Sequence, residues 1–191
     1  GGTRVNPARH GGGAGGVGSL AISLAALRSD VNIIATASRP DSAEWCRQRG
    51  ADKVVDYRNL VDALQQEGIT QVDYIFCLND TDGHWAAMGK LIAPQGKICS
   101  IVENERPLDQ GELKRKSASL HWEFMFTRSM FSTPDMAQQG QILQEVAYLV
   151  DAGKLQGTAS EVIDGLSVAS LQQAHAKVLE GHMRGKVTIA F

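Results

Sequence analysis

The sequence predicts an α/β protein built on a doubly wound parallel sheet, with helices covering both faces. Two observations carry that prediction. Short apolar runs rich in β-branched residues alternate with stretches of helical spacing, joined by crossovers of about 10 to 15 residues. At the head of the alternation stands a glycine-rich turn, Gly11-Gly12-Gly13-Ala14-Gly15-Gly16-Val17-Gly18-Ser19-Leu20. It contains Gly13-x-Gly15-x-x-Gly18 and runs straight into a helical pattern. The 191 residues, 43% hydrophobic and 21% charged, suffice for one sizeable domain with an appendage.

The first strand is the exception to the pattern. A buried parallel strand should precede such a turn and read as a continuous apolar run. The sequence instead offers Thr3-Arg4-Val5-Asn6-Pro7-Ala8-Arg9-His10, with two arginines and a proline, so this strand is expected to be degenerate or truncated. From Gly16 to Arg28 the residues Val17, Leu20, Ala21, Leu24, Ala25 and Leu27 recur at helical spacing, and Ser29-Asp30 ends the helix. A β-branched strand follows at 31–37. A short helix at 42–49 is framed by Asp41 and Glu44, spaced as a capping box, and by Gly50 as its stop.

A strand at 51–57, a helix at 59–67 stopped by Gly68 and a buried strand at 72–78 continue the alternation. A helix at 82–92 closes on Ala93-Pro94-Gln95-Gly96, and a strand spans 97–102. Leu113-Lys114-Arg115-Lys116 reads as a solvated face. Leu120, Trp122, Phe124 and Phe126 alternate on one side of a strand suited to a sheet edge. A long helix at 134–152 should turn Ile142, Val146, Leu149 and Val150 inward and stop at Gly153. A strand at 159–163, a helix at 168–180 and a strand at 186–191 complete the chain. The domain division is 1–156 for the sheet domain and 157–191 for a C-terminal tail.

Composition excludes several classes. A net charge of -2 provides no basic field for nucleic acid and no polybasic membrane patch. No apolar run approaches the roughly 18 residues of a membrane helix, and the first residues lack the apolar core of a signal peptide. Cys46, Cys77 and Cys99 are odd in number and widely spaced, which reads as buried reduced thiols and a cytoplasmic protein.

A glycine-rich stretch can be a flexible linker, but one that follows and opens βα units has a second reading. There the glycines permit the tight turn, the approach of a pyrophosphate to the backbone, and close packing of the helix on the sheet. The end of the second strand then selects the cofactor. An acidic residue suits the ribose of NAD, whereas Arg with small hydroxyl residues suits the 2′-phosphate of NADP. The sequence reads Ala37-Ser38-Arg39-Pro40, with no carboxylate before Asp41, and so favours NADP(H). Other chemistries lack their residues. Tyr57, Tyr74 and Tyr148 have no lysine four positions on, and there is no Gly-x-Ser-x-Gly elbow, no phosphate loop ending in Gly-Lys and no Cys-x-x-Cys. His84, His121, His175 and His182 are scattered, with no positioned partner evident.

Four motifs occur in order: Gly13-Ala14-Gly15-Gly16-Val17-Gly18, Ala37-Ser38-Arg39-Pro40, the run from Lys116 through Trp122 to Phe124, and Arg184-Gly185-Lys186-Val187. Together they resemble the medium-chain dehydrogenase/reductase superfamily, in particular its zinc-type alcohol dehydrogenase-like or quinone oxidoreductase-like branch. The resemblance runs from Gly11 to Phe191. It implies a Rossmann cofactor domain followed, from about Gly157, by the returning tail of a catalytic domain whose N-terminal part is missing from this chain.

It also implies the site. Gly13, Gly15, Gly16, Val17 and Gly18 match the pyrophosphate turn, and Ser38 and Arg39 the 2′-phosphate pocket. Tyr57 falls at the adenosine end, and Asn79, Ile101 and Val102 fall near the nicotinamide ribose and ring. The strand through Leu120–Phe126 resembles one that pairs two copies into a homodimer. Zinc is not expected within this chain, since any catalytic ligands would lie in the missing segment. The implied activity is NADPH-dependent hydride transfer to a quinone, an enone or a related carbonyl or alcohol substrate. No catalytic residue is assigned, and no turnover is expected of this chain alone. Two alternatives stay open: an NADP(H)-binding module without turnover, and a sensor of the NADPH pool.

Overall fold

A computed structural model describes residues 3–6 (main chain), 13–28 and 30–191. Six strands form the main sheet: β1 (Thr3–Asn6), β2 (Asn32–Thr36), β3 (Lys53–Val55), β4 (Val72–Cys77), β5 (Ile92–Ser100) and β6 (Ser119–Trp122). They lie in the order β3-β2-β1-β4-β5-β6, and every neighbouring pair is parallel. The chain therefore starts at the centre, moves outward to β3, and crosses back over β1 to build the other half. This is the doubly wound Rossmann order, and the direction reverses between β1 and β4, the position outside whose carboxyl ends such sheets bind their ligands.

The first strand is short rather than lost. Thr3–Asn6 pairs with Asn32–Ala35 on one side, and Arg4 and Val5 pair with Tyr74 and Ile75 on the other. A parallel ladder draws on main-chain donors and acceptors, which Arg4 and Asn6 supply as any residue would. Pro7 comes after the last strand residue in sequence. Pro7–His10, Gly11, Gly12 and Ser29 lie outside the described residues.

Helices α1 (Gly16–Arg28), α2 (Pro40–Gln48), α3 (Leu60–Gln66), α4 (Thr81–Leu91) and α5 (Gly111–Lys116) make the crossovers. One core cluster, including Ile34, Leu64, Val72, Met88 and Ile98, packs α3, α4 and α5 on the sheet. A second, smaller cluster joins Ala14, Ile22, Ile33, Ala35 and Cys46 beneath α1 and α2. Each fully buried Leu, Ile or Met of this kind contributes about 1.5–3 kcal/mol.

Several elements differ from the sequence reading. α1 buries Gly18, Ser19, Ile22 and Ser23, while Val17 and Leu27 are about half exposed. Small residues let this helix approach its neighbours closely, and both hydroxyls are satisfied: Ser19 Oγ donates to the Gly15 carbonyl at 2.7 Å and Ser23 Oγ to that of Arg49 at 3.1 Å. α2 begins at Pro40 after Arg39 without a side-chain cap, so the Asp41–Glu44 capping box does not form. Asp41 instead accepts from the Ser42 amide at 2.8 Å. β5 starts at Ile92 and takes in Pro94-Gln95-Gly96 as a bulge, with Gln95 at φ +62° and a register shift between Val72 and Tyr74. β6 ends at Trp122 because its ladder partner, Ser100, is the last residue of β5. The chain then turns through a short helix, α6 (Thr127–Met130), so Phe124 and Phe126 are not strand residues.

Beyond it, α7 (Gln138–Asp151) is shorter than predicted, and its apolar face is not inward. Ile142 and Val150 are exposed, and Val146 and Leu149 are half-buried. Helical spacing establishes that one face is apolar but not what covers it. An Arg28–Glu145 ion pair ties α7 to α1, and Leu155 just beyond it is buried. The tail forms a separate two-stranded parallel sheet of β7 (Ala159–Asp164) and β8 (Lys186–Ala190), linked by α8 (Val168–Leu179). Ser167 and Ser170 cap α8 reciprocally, a true capping box.

Candidate functional site

The glycine turn lies where β1 passes into α1, at the point where the sheet reverses direction. A Cβ on Gly13 would stand 2.7 Å from the Thr36 carbonyl oxygen and 3.2 Å from Cys46 Sγ, so only glycine allows the turn this close to β2. α1 begins at Gly16 with no acidic side chain in its first turn. Its unpaired amides and dipole therefore present a site suited to an anion. Val17 is exposed, and Gly18 is buried against the sheet.

The tail comes to this turn. Gly15 and Gly185 form a parallel bridge, and the Gly185 amide donates to the Ala14 carbonyl at 2.7 Å. Gly185 has φ +58°, and a Cβ there would collide with the Thr158 carbonyl, so glycine is required on both counts. Lys186 follows, and its Nζ lies 3.0 Å from where a Gly16 Cβ would stand. A cation on a long side chain thus sits over the start of α1. Sequence reading misses its role, although Lys186 belongs to one of the four motifs.

A cavity of about 240 Å³ is lined by Ser38, Arg39, Ser42, Tyr57, Arg58 and His182, among others, and shares Gly181 with a recess lined by Gly15, Gly185 and Lys186. The structure thus brings Ser38, Arg39 and Tyr57 together, and it adds Ser42, Arg58 and His182, which the sequence does not single out. Arg39 Nη2 donates to Ser42 Oγ at 3.0 Å and to the His182 carbonyl at 2.7 Å, while Nε donates to Asp41 Oδ1 at 3.1 Å. Burial works to raise the Asp41 pKa. The hydrogen bonds from Arg39 and the Ser42 amide, with the charges of Arg39 and Arg184, outweigh it and hold the carboxyl below its usual range. Asp41 is therefore an anion beside the pocket, and it shares Arg39 with whatever binds there. Arg58 is engaged by Asp56, whose pKa that hydrogen bond lowers. The Tyr57 ring meets the buried His84 edge-on, with centroids 6.3 Å apart.

Asn79 and Val102 lie on the other half of the sheet, in a cavity of about 380 Å³ that also includes Asp80, Thr81 and Asp82. Buried Thr81 shares a hydrogen bond of 2.7 Å with Ser100 Oγ and donates to the Val102 carbonyl, which ties the start of α4 to the end of β5. Ile101 opens into an adjoining cavity with Glu103, Asn104, Trp122 and Phe124. The predicted residues thus follow one rim of the sheet but divide among separate recesses rather than one pocket.

Neither thiol beside these features suits a nucleophile. Burial pushes Cys46 up to about 12 and also raises Cys99, with the nearby Glu123 carboxylate adding to the latter. Among the described residues no three His, Cys, Asp or Glu side chains converge to hold a metal ion, so they do not fit a zinc site. Among them too, no helix is long and apolar enough to cross a membrane.

Known proteins match this fold closely. The zinc-binding dehydrogenase family model matches residues 49–189. A zinc-type alcohol dehydrogenase-like protein of Staphylococcus aureus (strain MSSA476) is 40% identical over 178 residues, covering 93% of this chain and 53% of that protein. A solved protein from Rhizobium etli CFN 42, of the zinc-dependent alcohol dehydrogenase type, shares 42% identity at a TM-score of 0.87, over 100% of this chain and 54% of that one. The quinone oxidoreductase of Thermus thermophilus, solved also with NADPH, has a TM-score of 0.74 at 18% identity over 100% of this chain and 58% of its own, a likeness of fold. The chain spans about half the length of the curated relatives it matches. It belongs to the zinc-binding dehydrogenases of the medium-chain dehydrogenase/reductase superfamily.

Proposed function

We propose that this chain is the NADP(H)-binding part of an oxidoreductase that transfers hydride from NADPH to a quinone, an enone or a related carbonyl, or in the reverse direction from an alcohol to NADP+. The observation that carries the reading is the cavity in which Ser38, Arg39, Ser42 and Arg58 converge, which shares Gly181 with the recess lined by Gly15 and Lys186. Hydroxyls with guanidinium groups make a donor set matched to a phosphate monoester, and the turn with Lys186 provides a second anionic subsite. Gly13, Gly15, Gly16, Val17, Gly18 and Lys186 hold the pyrophosphate in this reading, and Ser38, Arg39 and Ser42 hold the 2′-phosphate. Tyr57 flanks the adenosine, while Asn79, Ile101 and Val102 face the reacting end. The nicotinamide supplies the hydride chemistry when bound; the protein's part is to anchor the far end so that the reacting end is oriented.

The test is substrate-dependent NADPH oxidation with quinones and enones in the protein that carries this chain. Turnover supports the reading. Tight NADPH binding without turnover on any of them would identify a binding module or sensor instead. Assembly as a homodimer is part of the proposal. It is supported by β6 at the sheet edge and by the exposed Trp122, Phe124, Phe126, Met130 and Phe131 beside it. Phe131→Glu should convert a dimer into a monomer in analytical ultracentrifugation, and an unchanged mass would exclude this surface.

A further inference from the structure

Trp45 and Arg49, both outside the residues given roles above, join three parts of the molecule. The Trp45 indole Nε1–H donates to Ser19 Oγ at 2.8 Å. Ser19 Oγ in turn reaches the carbonyls of Gly15 at 2.7 Å and Ala14 at 3.2 Å. The Ala14 carbonyl is the one that receives the Gly185 amide of the tail. The indole also flanks the tail directly, its Cζ2 lying 3.1 Å from where a Gly185 Cβ would stand.

Above the same ring, at 4.2 Å from its centroid, lies the guanidinium of Arg49. Arg49 is buried, and its Nη1 donates to the carbonyls of Gln156 at 3.1 Å and Gly157 at 2.9 Å. Those carbonyls stand where the chain leaves the sheet domain for β7. A buried guanidinium needs such partners, and the aromatic face supplies the remaining attraction.

We infer that Trp45 and Arg49 are positioning residues for the dinucleotide: they couple the glycine turn to the Gln156–Gly157 junction, so that filling the turn and seating the tail reinforce one another. This rests on the reading of the turn as a dinucleotide site. Such coupling is reciprocal: whatever tightens the junction must raise dinucleotide affinity by the same factor.

Hydrogen–deuterium exchange with and without saturating NADP+ tests it, in the wild type and in Trp45→Phe and Arg49→Lys. Phe keeps the ring but lacks the N–H; Lys keeps the charge but not the planar group that reaches both carbonyls. In the wild type, NADP+ should slow exchange at amides 15–19 and also at 157–158 and 185–186. In each variant the protection at 15–19 should persist while that at 157–158 is largely lost. The dissociation constant should rise about fivefold, the effect of one ordinary hydrogen bond.

Wild-type affinity and wild-type junction protection in either variant, at unchanged Tm, would overturn the coupling. So would wild-type protein in which NADP+ protects 15–19 but leaves 157–158 and 185–186 unaltered, a result that needs no variant to fold. Failure of NADP+ to protect 15–19 at all would instead remove the dinucleotide reading, and the coupling with it.

Discussion

In the proposed reading cofactor choice turns on Arg39, and Arg39→Ala is the most informative single change. A charge-assisted hydrogen bond to phosphate is worth about 1.5–3 kcal/mol, or roughly tenfold to a hundredfold in affinity. Two features adjust that range. Without cofactor, Arg39 already donates to Asp41, Ser42 and the His182 carbonyl, so a phosphate exchanges bonds rather than adding them. Its side chain is also 32% exposed, which screens the charge. Both move the expectation toward the lower end. In the opposite sense, removing Arg39 leaves the Asp41 carboxylate facing the phosphate uncovered. The balance is a loss of about tenfold to thirtyfold for NADPH, with NADH changed by less than about twofold. Fluorescence titration of both dinucleotides against wild type and variant measures it, and raising the salt concentration should narrow the wild-type preference. Asp41→Asn should act the other way and tighten NADPH binding, because it frees Arg39 for the phosphate. Equal wild-type affinity for NADPH and NADH, or a parallel loss of both in Arg39→Ala, would refute the reasoning.

Three further expectations follow from the same geometry. Gly13→Ala places a Cβ 2.7 Å from the Thr36 carbonyl, so β2 and the turn must separate. It should cost about 1–3 kcal/mol in urea unfolding and abolish dinucleotide binding, and a variant with wild-type stability and affinity would show the contact to be unimportant. Ellman's reagent at pH 8 should spare the buried Cys46 and Cys77 in the native protein, react slowly with the half-buried Cys99, and count all three thiols after unfolding. Rapid reaction of three native thiols would contradict the packing. Asp41, Asp56 and Asp135 all have lowered pKa values: Asp56 through its hydrogen bond from Arg58, Asp135 through those from Thr133 and Arg128, and Asp41 through Arg39 and Ser42 against the opposing effect of burial. As pH falls the unfolded chain takes up these protons first. Stability should therefore be level above about pH 5 and decline, by a small amount for groups so exposed, as pH drops through the folded values. A rise in Tm below pH 4 would contradict that sign.

The half of the fold built from β2 to β5 is legible because each strand is a β-branched or apolar run buried within a repeating unit. β1 is not, since apolar patterning is the signal available and this strand is placed by main-chain pairing on both sides. α1 reads correctly as a helix but with the wrong face, because its buried serines satisfy their hydroxyls on carbonyls that sequence does not reveal. Ser38 and Arg39 are legible because they sit within a few residues of a strand end. Ser42 is close by but reads only as the start of a helix. His182 and Lys186 reach the site across the whole length of the chain, the Arg39–His182 bond spanning 143 positions, and no local pattern records such a contact.

The Gly15–Gly185 bridge bears on how the molecule is made. The turn emerges from the ribosome 170 residues before its backbone partner, the difference between positions 185 and 15. At synthesis rates of about 5–20 residues per second, the Ala14 carbonyl waits roughly 8 to 34 seconds for the amide that will cover it. Closing a loop of that size carries an entropic cost of about 4–5 kcal/mol by the logarithmic length law. The sheet must therefore stand on its own contacts first, and docking of the tail is a late event in the birth of the protein, on which the finished glycine turn depends.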